Sequence, residues 1–199
     1  LWGMGGNYLG QLGDGTITNR HSPVQVVSSG VVSASAGFYH SLFLKDDGNL
    51  YGMGRNDQGQ LANESGVSSQ VPVFMDDGVV MMSAGYETSV YVKADGTLRT
   101  VGQSSTGQLG DGATLFRTTP YKVEDADVTI IEAGHEHALY LKADGSLHVM
   151  GSNDNGRLGD GSWIARSSPS KIEDSQVTAL AAGEMHSLYV KDGARRAMG

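Results

Sequence analysis

The chain has 199 residues, 29 of them glycine, with 39% hydrophobic and 18% charged residues and a formal net charge of -8. Glycine at that level without a strict triplet period excludes collagen, and the length is sufficient to bury a sizeable core. The acidic balance without any basic run argues against a nucleic-acid partner, no apolar stretch approaches the roughly 18 residues of a membrane span, and the lack of cysteine excludes disulfides and thiolate sites while leaving the compartment open.

Leu1–Gly5 (LWGMG) reads as a short strand, A. A polar, glycine-rich loop follows, and a second strand, B, is expected to start near Pro23, because proline is tolerated at a strand's first residue or on an edge. Val31–Ala36 (VVSASA) reads as strand C and Ser41–Lys45 (SLFLK) as strand D, whose apolar–polar alternation predicts a half-buried strand. Asp47-Gly48 then supplies a hairpin turn into Leu50, where strand A begins again.

The same order recurs along the whole chain. The prolines stand at Pro23, Pro72, Pro120 and Pro169, and an Ala-Gly pair at Ala36-Gly37, Ala84-Gly85, Ala133-Gly134 and Ala182-Gly183. Independent landmarks in one register define four repeats, 1–49, 50–97, 98–146 and 147–199, in a single array. A repeat of four short strands has the size of a propeller blade, so the expected fold is an all-β propeller of four-stranded antiparallel blades. Strand C ends in small residues and is placed innermost, which gives the order C, D, A, B from axis to periphery.

The combined motifs GNYLGQLGDGT, SPVQV and AGFYHSLFLKDDGNLYGMG, with their later copies GSNDNGRLGDGS and AGEMHSLYVKDG, resemble the regulator-of-chromosome-condensation repeat. The resemblance implies a propeller of seven blades and a role in protein–protein contacts. The chain is therefore expected to be an incomplete arc excised from a longer propeller, prone to self-association through its open ends. A non-catalytic interaction scaffold for an unidentified protein partner is the expected function. The family also implies two alternatives: nucleotide exchange on a small GTPase, and inhibition of a secreted bacterial enzyme. Its ultraviolet-sensing members use clustered tryptophans, which Trp2 and Trp163 cannot supply. Two departures stand out. Repeat 2 has Ala62-Asn63-Glu64 where the others have Gly-Asp-Gly, which predicts a locally different loop, and the last repeat's final strand carries Arg195-Arg196.

No catalytic residue, metal or cofactor is assigned. His40, His137 and His186 share one repeat position, with Thr88 in repeat 2. They are expected to be buried and hydrogen-bonded to backbone at the C–D turn, locking adjacent blades; Thr88 would break a metal ring. Asp14, Asp111 and Asp160 are read as loop caps rather than calcium ligands. In a repeat protein the repeated residues hold the fold, and exposed residues that refuse to repeat are candidates for recognition. Between the Ala-Gly pair and the histidine position these are Phe38-Tyr39, Tyr86-Glu87, His135-Glu136 and Glu184-Met185. A second set lies at the A–B loop tips, including Trp163, where tucking against the neighbouring blade is expected.

Overall fold

The computed structural model describes residues 1–199, which form seventeen strands and no helix. β1 (Trp2–Gly5) and β2 (Arg20–Gln25) make a two-stranded sheet. The first whole blade is β3 (Val31–Ala36), β4 (His40–Lys45), β5 (Leu50–Gly54) and β6 (Ser69–Asp76). The second is β7 (Val79–Ala84), β8 (Thr88–Lys93), β9 (Leu98–Gly102) and β10 (Arg117–Glu124). The third is β11 (Val128–Ala133), β12 (His137–Lys142), β13 (Leu147–Gly151) and β14 (Arg166–Glu173). A three-stranded sheet of β15 (Val177–Ala182), β16 (Ser187–Lys191) and β17 (Ala194–Met198) completes the chain.

Every strand pairs antiparallel with its sequence neighbour in the expected C-D-A-B order. The C strands β3, β7, β11 and β15 meet one another across the blades and so line the axis. β1 pairs only with β2, not with β16, so the arrangement is an open arc.

Two details differ from expectation, in strands B and D. Strand B starts three residues before its proline, so that Pro72, Pro120 and Pro169 fall inside β6, β10 and β14. Each lies where the pairing with strand A shifts register, on the outermost strand, and there a missing N–H leaves no ladder bond unmade. Strand D is buried on both faces rather than one, because each blade is sandwiched between two others: β8 and β12 are buried from their first residue to the terminal lysine. The D–A turns place only glycine in the left-handed region, Gly48 at φ 80°, while Asp47 accepts a bond from Asn49 N at 3.0 Å. The shorter last turn needs both residues there, Asp192 and Gly193.

The core lies between blades. Leu42, Leu44 and Leu50 pack against Tyr91 and Val101 of the next blade, and Leu139, Leu141 and Leu147 against Val177. Each such side chain contributes roughly 1.5–3 kcal/mol on burial. At the two ends the equivalent faces are uncovered, leaving Trp2, Met4 and Leu188 exposed.

The repeat 2 loop keeps the conformation of the others, against expectation. Ala62 (φ 54°) and Glu64 (φ 59°) adopt the left-handed geometry of Gly110 (φ 72°) and Gly112 (φ 80°). A Cβ on Gly13 would come within 2.6 Å of Met53 Sδ in the adjoining blade, and one on Gly110 or Gly159 would strike Met150 or Met198. At the equivalent position beyond Ala62 stands Val101, shorter than methionine, and Ala62 packs on the cluster that contains it.

Candidate docking face

Strand direction sorts the connections onto two rims. Strand D runs away from the C–D turn and strand A returns to it, so the C–D turns and the long A–B loops (6–19, 55–68, 103–116 and 152–165) share one rim. Backbone bonds join them there: Arg55 N to Tyr39 O at 2.9 Å, Gln103 N to Glu87 O at 3.0 Å and Ser152 N to Glu136 O at 2.8 Å. The two sets of variable residues thus occupy a single face.

A buried asparagine fixes each of three loops. Asn153 accepts from Leu158 N at 3.0 Å and donates to Asp160 Oδ1 and Ser162 O, both at 2.9 Å; Asn7 and Asn56 do the same work in their loops. The loop aspartates cap nearby amides and hold the first residue of strand B. Arg20 Nε reaches Asp14 at 2.5 Å, Arg166 bonds Asp160, and Arg117 bonds Asp111. Burial would raise the Asp160 pKa, but bonds from Ser162, Arg166 and Asn153 outweigh it and hold it down at about 2. In repeat 2 both charges are missing together, as Asn63 and Ser69. The asparagines escaped the sequence reading, although their recurrence after strand A is visible in it.

Beneath the C–D turns the histidines act across blades. His40 Nε2 lies 2.9 Å from Ser89 Oγ of the next blade, and Ser89 Oγ donates to Gln60 O at 2.7 Å. The hydroxyl proton is committed to the carbonyl, so the imidazole donates through Nε2–H and is neutral. His137 repeats this with Ser187, which donates to Arg157 O at 2.9 Å. The partner is thus a serine hydroxyl and not backbone, and the two imidazoles are fully buried. Burial alone accounts for the His40 pKa of about 4, and it dominates for His137, also at about 4. His186 departs from the expectation of burial: it is exposed.

The variable turn residues come together as an aromatic ladder. Ring centroids lie 4.6 Å apart for Phe38 and Tyr39, 4.8 Å for Phe38 and Tyr86, and 3.9 Å for Tyr86 and His135. Phe38 is 61% exposed, while Tyr39, Tyr86, His135 and Glu136 are half-buried. Glu87 is buried rather than displayed, held by Arg55, which also pairs with Asp57 at 2.6 Å. Its carboxyl is pushed up by burial, against the pull of Arg55. Glu184 and Met185 are exposed. The Ala-Gly pairs floor a concavity of about 350 Å³ on the axis, walled by Phe38, Tyr86, His135 and Glu184.

The A–B loop tips do not tuck inward. Ile17, Val67, Leu115, Phe116, Trp163 (71% exposed) and Ile164 all face solvent on this rim. On the far rim the chain displays ion pairs instead: Lys93 with Asp76 at 2.8 Å, Lys142 with Glu124 at 3.2 Å and Lys191 with Glu173 at 2.5 Å. Recognition surfaces expose aromatic and apolar side chains, and the loop rim gathers a set of them, apart from those on the uncovered end faces at Trp2, Met4 and Leu188.

Comparison with known proteins accords with this architecture. One family model of the regulator of chromosome condensation (RCC1) repeat matches residues 1–44, 47–92 and 144–190, and a second matches 31–60 and 128–157. The ultraviolet-B receptor UVR8 of Arabidopsis thaliana is 36% identical over 75 residues, spanning 36% of this chain and 17% of the receptor. Among solved structures, human WBSCR16 superposes with a TM-score of 0.81 at 23% identity over 96% of this chain and 54% of that one. Prp20p of Saccharomyces cerevisiae, described with its binding to Gsp1p and histones, gives 0.77 at 25% identity over 91% and 48%. The chain spans about half the length of these solved propellers. With the repeat models matching most of its length, the chain belongs to the regulator of chromosome condensation (RCC1) repeat family.

Proposed function

We propose that this chain is a protein-binding scaffold with no chemistry of its own, and that a partner docks on the loop rim. The observation that carries the reading is the aromatic ladder of exposed Phe38 with half-buried Tyr39, Tyr86 and His135 beside a shallow axial concavity. Aromatic anchors of this kind supply most of the energy of protein interfaces. Their support is rigid, since the bolted histidines and asparagine-braced loops lie directly below, so little ordering entropy is lost on binding. The His–Ser pairs themselves favour a structural role: the imidazole donates to the serine and has no lone pair free at Nε2 to take its proton.

A photoreactive phenylalanine analogue placed at Phe38, compared with one at Asp47 on the far rim, tests this in extract of the source cells. A discrete cross-linked partner from position 38 alone is expected; equal products from both positions overturn it. The captured partner also separates the alternatives. A small GTPase whose nucleotide release this chain accelerates would make it an exchange factor, and a secreted hydrolase would make it an inhibitor.

A further inference from the structure

We propose that the loop rim accepts a basic segment of another protein, whose arginine or lysine side chain lies over the Phe38 and Tyr86 rings and pairs with Glu184 across the axial concavity. This rests on the docking reading above and names its ligand class.

The charge distribution points to it. Lys45, Lys93, Lys142 and Lys191 end the D strands on the far rim, and Lys122 and Lys171 lie in outer strands, paired with Asp125 and Asp174. The loop rim has no lysine, and each of its arginines is engaged within the chain. Arg20, Arg117 and Arg166 hold loop aspartates, Arg55 bridges Asp57 and Glu87, and buried Arg157 donates to Glu184 O. Glu64, Glu136, Asp154 and Glu184 have no such cation. The face is therefore acidic, with these five arginines engaged within the chain, while Arg196 of β17, which has no ion pair, borders a separate hollow beside Trp163 and away from the axial concavity.

The rings add geometry to the charge. Arg55 already sits over one end of the ladder, its guanidinium carbon 5.1 Å from the Tyr39 centroid, within the range at which a cation is attracted to a ring face. Phe38 and Tyr86 continue the ladder toward the axis with no cation of the chain over them, and Glu184 borders the concavity they wall. An aromatic face backed by an unpaired carboxylate matches a guanidinium or ammonium group better than an aliphatic or acidic one.

The probe is a fluorescent octapeptide of alternating glycine and arginine, titrated by anisotropy against the 199-residue chain, with glycine–glutamate and glycine–leucine octapeptides in parallel. The arginine peptide alone is expected to bind. Glu184→Gln, Phe38→Leu and Tyr86→Leu should each weaken it about fivefold, as loss of one cation–π or charge contact implies. Asp77→Asn on the far rim should change it less than twofold, and unchanged thermal midpoints show that the variants fold. Equal losses in Asp77→Asn and Glu184→Gln would reduce the effect to general acidic attraction and overturn the proposal. So would preferential binding of the leucine peptide, although the rim would then still be a docking face. Failure of the docking reading is distinct: it is the absence of a position-38 cross-link, whatever the peptides do.

Discussion

The His40 imidazole and the Ser89 hydroxyl, 49 residues apart, are hydrogen-bonded at 2.9 Å in an interior seam, and the partners change in step along the array. His40 faces Ser89 and His137 faces Ser187, but where repeat 2 has Thr88 in place of histidine, the next repeat has Ala138 in place of serine. Replacing Ser89 by alanine should leave His40 Nε2–H and Gln60 O without partners and destabilise the chain by about 2–4 kcal/mol. Installing Thr88→His and Ala138→Ser together should restore a bolt. Equilibrium denaturation of the singles and the double checks this, with a favourable coupling of about 1 kcal/mol or more expected.

Stability should fall on mild acidification. The folded pKa of His40 and of His137 is about 4, below the ordinary value of 6.5, so the unfolded chain binds protons more readily. Their contribution is fully present above about pH 6.5 and is lost progressively toward pH 4, on the order of 3 kcal/mol for each. Asp160, held at about 2, works in a lower window: its contribution is present above the ordinary carboxylate value and is lost only below it. Urea midpoints measured between pH 7.5 and pH 4.5 should therefore decline, and His40→Gln should flatten the decline even if it lowers the starting stability. A flat profile in the parent chain would contradict the buried, neutral assignment.

Ala62 and Val101 form a second matched pair. Val101→Met should overpack against the Ala62 methyl, as a Cβ on Gly13 would against Met53, and cost about 1–3 kcal/mol. Ala62→Gly alone removes left-handed strain at a non-glycine residue but opens space beside Val101, so its net effect should be small. The double variant recreates the glycine–methionine arrangement of the other loops and should recover most of the loss. Thermal midpoints of the three variants suffice.

The uncovered end at Leu188 and Tyr189 should draw chains together. Light scattering of the isolated 199-residue chain is expected to show mass rising with concentration, and Leu188→Lys should suppress the rise, since Leu188 is 44% exposed on an apolar blade face. A monomer at all concentrations would remove this expectation.

Strand order and blade order were legible because each rests on local signals repeated four times: alternation, Asp-Gly turns and small residues at the end of strand C. The burial of strand D on both faces was not, since alternation reports a strand's composition and not what packs on it. Ser89 is buried because the adjoining blade supplies a carbonyl and an imidazole. The variable turns were visible as candidates, but Glu87 could not be separated from Glu184 without knowing that Arg55 reaches only the first. The loop tips were misjudged for a related reason. Braced from within by Asn7, Asn56 and Asn153, those loops have no need to bury Ile17 or Trp163.

The diagonal matching of His40 with Ser89 and of Thr88 with Ala138 also makes the repeats non-interchangeable. Repeat 2 offers serine to the unit before it and no imidazole to the unit after it. Repeat 3 does the reverse, accepting no bolt and supplying His137. Moving repeat 3 to directly follow repeat 1 would set His40 against Ala138 and bury an imidazole N–H with nothing to receive it. Duplication and shuffling, the ordinary ways a repeat array grows, are thereby penalised within this stretch, and the order of its units is preserved by chemistry at the seams rather than by the covalent chain alone.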